Sequence, residues 1–145
     1  MIRDAISKIL TNAGKEKTVK GKIEVLLSND SVPLRTVLRL IYDETIEFLV
    51  PDTPPPFKES KLDDLDTLLY REARRLKIFF KGGGYDNIAQ MKRESLFISL
   101  LEDLDKGDAK LLANNLISHT PVKGLTRKTV EAAYPELFTT PMDMT

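Results

Sequence analysis

Leu62, Leu65, Leu69, Ala73, Leu76 and Phe80 recur at intervals of three and four residues. At about 100° per residue they fall within one narrow arc, which predicts a helix over 62–80 with a single face to bury. A strand alternates its side chains with period two and would scatter this set over both faces of a sheet.

The other apolar segments follow the same rule. Ile2, Ile6, Ile9, Leu10 and Ala13 share a face over 1–13, with Gly14 as a C-terminal stop. Ser31 is placed to cap a helix over 32–42. Pro33 sits in its first turn, where a missing N–H costs nothing, and Leu34, Val37, Leu38 and Ile41 recur behind it. Beyond Gly82, Gly83 and Gly84, Asp86 or Asn87 is expected to cap a helix carrying Phe97, Leu100, Leu101 and Leu104. Asp108 is expected to cap the next, with Ala109, Leu112, Ala113 and Leu116 inward and Thr120–Pro121 as its end. Thr126 caps a last short helix bearing Val130 and Ala133. Between these, 15–22 is polar, the run from Ile23 to Leu27 fits helix or strand, and 45–50 reads as extended.

The expected fold is therefore all-α, a compact bundle of five or six helices in one domain over 1–145. Pro51, Pro54, Pro55 and Pro56 make 51–58 an extended connection anchored by Phe48 and Phe57. Leu125, Val130, Ala133, Tyr134, Leu137 and Phe138 are too apolar for a free end, so 124–138 is expected to dock, with 139–145 a frayed tail. The expected core is Leu38, Ile41, Leu65, Leu69, Leu76, Phe80, Phe97, Leu101, Leu112 and Leu116.

Lys plus Arg and Asp plus Glu are each 22, so the chain carries no formal net charge and exerts no overall pull on a polyanion or an anionic membrane. The charge is nonetheless sorted into blocks: eight acids against two bases over 43–66, seven bases against two acids over 71–93, five acids against one base over 94–108, and four bases with no acid over 110–130. No apolar run approaches the roughly 20 residues of a membrane span, and the N-terminal stretch with Asp4 does not read as a signal peptide.

The second block, YREARRLKIFFKGGGYDN, carries most of the functional information. It interleaves Arg71, Arg74, Arg75, Lys77 and Lys81 with Phe79, Phe80 and Tyr85, the residue types that meet phosphates and unpaired bases. On an α-helical wheel Arg71, Arg74 and Arg75 fall opposite the leucine stripe with Ile78 among them, and Lys92 and Arg93 follow the glycines. Arg71, Arg74, Arg75, Ile78, Lys81, Tyr85, Lys92 and Arg93 are the candidate binding set for nucleic acid or a partner protein. The plainer reading is dipole complementation, with Asp63, Asp64 and Asp66 near the helix start and the bases near its end.

Catalytic signals are lacking. Without Cys there is no thiolate nucleophile and no Cys-ligated metal. The three glycines match neither phosphate-loop fingerprint and follow a helix rather than a strand, although backbone N–H groups there, helped by Lys81 and by Lys92 or Arg93, would suit a phosphate. Glu102, Asp103, Asp105 and Asp108 lack the spacing of a calcium loop. The single His, His119, stands at a helix end where terminal carbonyls would accept from it. No cofactor, no metal and no enzymatic activity are expected.

Three stretches, VLRLIYDETIEFLVPDTPPPF, LKIFFKGGGYDNIAQMKRESLFISLLEDLDKGDAKLLANNL and KGLTRKTVEAAYPELF, resemble in order and wording a family of small uncharacterised proteins of contractile-tailed phages of marine bacteria. The resemblance runs from about Leu34 to Phe138 and brings no activity and no site residues. It implies a setting, the cytoplasm of an infected bacterial host or the virion. The expectation is a non-enzymatic accessory protein that binds nucleic acid or a replication or transcription component through 71–93. The alternative is a virion structural or assembly protein whose charged blocks pair between copies.

Overall fold

A computed structural model describes residues 4–51, 57–58 and 68–139. Its fold is helical and compact; among the described residues, extended pairing is limited to one antiparallel bridge between Phe48 and Phe80. The N-terminal helices are α1 (Ile6–Lys15), α2 (Val19–Ser28) and α3 (Val32–Tyr42). The ambiguous run Ile23–Leu27 is thus helical, because Thr18 Oγ1 accepts from Gly21 N at 2.9 Å and starts α2 inside the polar stretch. Ser31 Oγ accepts from Leu34 N at 3.1 Å and begins α3 as its sequence predicts.

The stretch expected to form one α-helix over 62–80 changes geometry in its described part. It is α-helical as α4 (Leu68–Glu72) and then 3₁₀-helical over Ala73–Phe79. Tightening to about three residues per turn stacks Ala73, Leu76 and Phe79 in one buried column. Phe79, read from sequence as a candidate base-stacking ring, is instead core, 5.1 Å from Phe97 by ring centroids. Phe80 is extended and buried too, edge-on to Phe48 at 6.2 Å, and the Phe48–Phe80 bridge is made by Leu49 N to Phe79 O at 2.7 Å and Lys81 N to Glu47 O at 2.8 Å.

Next come α5 (Gln90–Asp103), α6 (Lys106–Leu111) passing into a π-helical turn over Leu112–Leu116, and α7 (Arg127–Ala133). Asp105 caps α6 through Gly107 N at 3.0 Å, in place of Asp108. Asp108 lies inside that first turn, fully buried, and accepts from Ser7 N of α1 at 2.9 Å.

One hydrophobic cluster takes residues from every helix: Ile6 and Leu10, Leu26, Leu38 and Ile41, Leu69, Phe97 and Leu101, Ala109 and Leu111, and Val130. Nine of the ten expected core residues are in it, and Leu65 lies outside the described residues. So do 52–56 of the proline segment, while Phe48 and Phe57 are half-buried against the core. At the C-terminal end, α7 packs on α2, with Leu125 and Val130 buried and the Tyr134 hydroxyl donating to Leu26 O at 3.2 Å and Asp30 Oδ1 at 3.0 Å. Residues 140–145 of the expected frayed tail lie outside the described residues.

Candidate functional site

The glycine turn between the 3₁₀ segment and α5 depends on backbone freedom. Gly82 and Gly84 have φ of 86° and 96°, a region side chains disfavour, and a Cβ on Gly83 would collide with the Lys77 carbonyl. Gly82 N donates to both Asp86 oxygens, at 3.0 and 3.1 Å. A carboxylate of the chain itself therefore occupies the amide that the sequence offered to a phosphate. Asp86 is accordingly not the cap of α5, whose N-cap is Ala89 with no side-chain hydrogen bond.

Arg93 is the main correction to the expected binding set. It is 3% exposed, and its guanidinium donates from Nε to Ile78 O (3.1 Å), from one terminal nitrogen to Gln90 Oε1 (2.6 Å), and from the other to Tyr85 O (2.9 Å) and Asp86 O (3.2 Å). A planar fork with several fixed donors suits this convergence of carbonyls. Gln90 in turn donates to Leu49 O at 2.7 Å. Arg93 is thus the bracket that holds the end of the 3₁₀ segment, the glycine turn and α5 together. Ile78 is half-buried and packs on the core, so its apolar character is explained by packing and not by a partner.

Around this bracket the remaining cations face water. Arg71, Arg74, Lys81 and Lys92 are exposed, and Arg75 is partly so. Arg71 and Arg75 share one carboxylate, Glu72, at 3.6 and 3.3 Å, and Lys81 Nζ is 3.8 Å from Glu47. Contacts this exposed are screened and leave the cations available to a ligand. Lys77 Nζ lies 5.8 Å from the centroid of the exposed Tyr85 ring. The first turn of α5 contains no acid to offset its dipole but does contain Lys92. Met91 beside it is 84% exposed, a surface apolar residue that the sequence reading passed over although it falls off the Phe97–Leu101 stripe of its own helix.

The acids noted for a metal do not converge: Glu102 accepts from Lys58 N at 2.9 Å, Asp105 is a cap and Asp108 is inside α6. Among the described residues no three His, Asp or Glu side chains come together as a metal site, and no helix is long and apolar enough to cross a membrane. The His119 backbone N–H bonds Leu116 O of its own helix at 3.3 Å, but its ring meets the helix-end carbonyl of Ile41 in α3, at 3.1 Å from Nδ1, with Ile46 O at 2.7 Å from Nε2.

A family model described as a family of unknown function, DUF6433, matches residues 9–118, and the chain belongs to that family. The match includes the whole of the 71–93 surface and stops short of α7. No curated protein and no solved structure matches the chain.

Proposed function

We propose that this member of the family is a non-enzymatic nucleic-acid-binding accessory protein whose contact surface is the exposed part of the basic block: Arg71, Arg74, Arg75, Lys81, Tyr85 and Lys92. The observation that carries the reading is the division of labour within the block. Arg93 and Ile78 are consumed in packing, while the other cations project from two elements around a turn whose aromatic residue is exposed. Cations supply phosphate contacts, and an exposed ring supplies a face for a base. In keeping with the phage-like wording of the sequence, the setting we propose is the cytoplasm of an infected bacterium.

Anisotropy titration with labelled single- and double-stranded oligonucleotides at low salt tests it. Engaging three phosphates of a single strand gives a log–log salt slope of about −2. Absence of binding at tens of micromolar protein overturns the proposal.

A second reading, a virion structural or assembly protein, is favoured by one different observation. Val19, Leu27 and Val32 are 55%, 48% and 58% exposed around α2 and the start of α3, a place that nucleic acid does not need to be apolar. Mass spectrometry of purified virions separates the two, since a structural component is abundant there.

A further inference from the structure

His119 is the one described non-glycine residue at positive φ, 54°. The path to it is specific. The π-helical turn over Leu112–Leu116 closes with Ile117 N on Leu112 O at 3.3 Å, and Thr120 N then returns to Asn115 O at 2.9 Å. Asn115 Nδ2 fixes the exit by donating to Thr120 O and Pro121 O at 3.1 and 3.2 Å. The left-handed residue in this hook carries its ring to the end of α3 and the segment that follows it. There Nδ1 is 3.1 Å from Ile41 O, Nε2 is 2.7 Å from Ile46 O, and the ring centroid is 5.4 Å from that of Phe48.

Both partners are carbonyl oxygens, which only accept. A neutral imidazole has one N–H, so its bare nitrogen would set a lone pair against one of these oxygens. A ring protonated on both nitrogens donates to both. The Ile41 carbonyl also lies in the last turn of α3, the end of a helix that favours a cation.

We infer that His119 is a proton-dependent latch that, doubly protonated, ties the 43–50 segment to the end of α3 and, on losing a proton, releases one side of the tie. The segment it holds frames the glycine turn, through Leu49 N on Phe79 O, Lys81 N on Glu47 O and Gln90 Nε2 on Leu49 O. Release at Ile46 therefore loosens the footing of Lys81. The charged groups around the latch are engaged elsewhere or face water. Asp43 is held by Arg39 and Thr45, Glu47 faces Lys81, Arg127 donates to Tyr42 O, and Glu44 and Lys123 are exposed. The ring's own hydrogen-bond partners are the two carbonyls.

Nitrogen NMR of the His119 ring in the full chain, followed across neutral pH together with the amides of 46–49 and Lys81, tests this without reference to any ligand. The expected result is protonated-type shifts on both ring nitrogens on the acid side, with those amides moving along the ring's own titration curve. His119→Asn tolerates the left-handed backbone but offers one amide group in place of two opposed donors, and it should abolish the pH dependence of those amides. A ring that keeps one neutral tautomer throughout, or amides that do not follow it, overturns the latch; the wild-type titration alone decides this if the variant does not fold.

Discussion

The Arg93 guanidinium donates to the Tyr85 carbonyl at 2.9 Å, so a buried cation holds the backbone of the exposed ring on which the proposed surface depends. The net neutrality of the chain conceals two kinds of basic residue in one block, those that build the turn and those that face water.

The two kinds should separate in stability measurements. Removing Arg93 takes the guanidinium donors from the carbonyls of Ile78 and Asp86 and leaves that of Tyr85 with Ile88 N at 3.3 Å. Arg93→Ala is expected to cost about 3 kcal/mol in urea unfolding, and Arg93→Lys most of that, because an ammonium cannot span three carbonyls with fork geometry. A loss near zero for Arg93→Ala means the bracket is not formed in solution.

Reversal of the exposed cations should do the opposite. Arg71, Arg74 and Lys92 changed together to Glu are expected to leave the melting temperature nearly unchanged, since exposed charges contribute little to stability. The same triple change should abolish oligonucleotide binding. Intact binding in the folded triple variant would place the contact surface away from these three cations and overturn the assignment.

The helical class and the core stripe were legible because burial acts on side chains at fixed spacing, and Leu38, Ile41, Leu69, Leu76, Phe97, Leu101, Leu112 and Leu116 are buried on that account. The fate of Arg93 was also written there. It precedes Phe97 by four residues and so stands on the apolar stripe of α5, which should have outweighed its charge. The 3₁₀ turn was harder, because Ala73 and Leu76 satisfy both a 3.6- and a 3.0-residue repeat and only Phe79 against Phe80 tells them apart. His119 was beyond reach: its acceptors are backbone carbonyls more than 70 positions away, and a carbonyl has no sequence signature.

Asp43 gives an acid-side prediction. Burial alone would raise its carboxyl, but the Thr45 hydroxyl (2.6 Å) and amide (3.1 Å) and the Arg39 guanidinium (3.2 Å) outweigh that and hold it below the ordinary carboxylate range. A lowered folded-state value means that the stabilisation is present above the unfolded value of about 3.9 and is lost as pH falls through the folded one. Asp43→Asn is therefore expected to destabilise by about 1–3 kcal/mol at neutral pH. The gap to wild type should close in acid, and a gap that widens on acidification contradicts the assignment.

Tyr42 gives the alkaline counterpart and measures how the C-terminal segment is held. Its buried hydroxyl donates to Leu125 O at 2.6 Å and accepts from Val122 N at 3.1 Å, while Arg127 donates to its carbonyl at 3.1 Å. The same region is closed by Gly124 (φ 78°), where a Cβ would strike the Gly14 carbonyl, and by Lys22 Nζ, which donates to the carbonyls of Gly14 and Gly124. Tyr42→Phe takes the partner from the buried Leu125 carbonyl and from the partly buried Val122 N–H, and is expected to cost about 1–3 kcal/mol. Burial, opposed in part by the Val122 N–H, pushes the phenol up to about 12. A raised folded-state value means that this stabilisation is fully present below the unfolded value of about 10 and is lost as pH rises through the folded one. Urea unfolding of wild type and Tyr42→Phe should therefore show a constant difference between about pH 7 and 9 that shrinks above about pH 10. Truncation after Lys123 removes Leu125 and Val130 from the core together with Arg127, and should lower the melting temperature well beyond the effect of Tyr42→Phe. A truncated chain that melts with the full one would mean that the segment is not docked in solution and its apolar face is available to a partner.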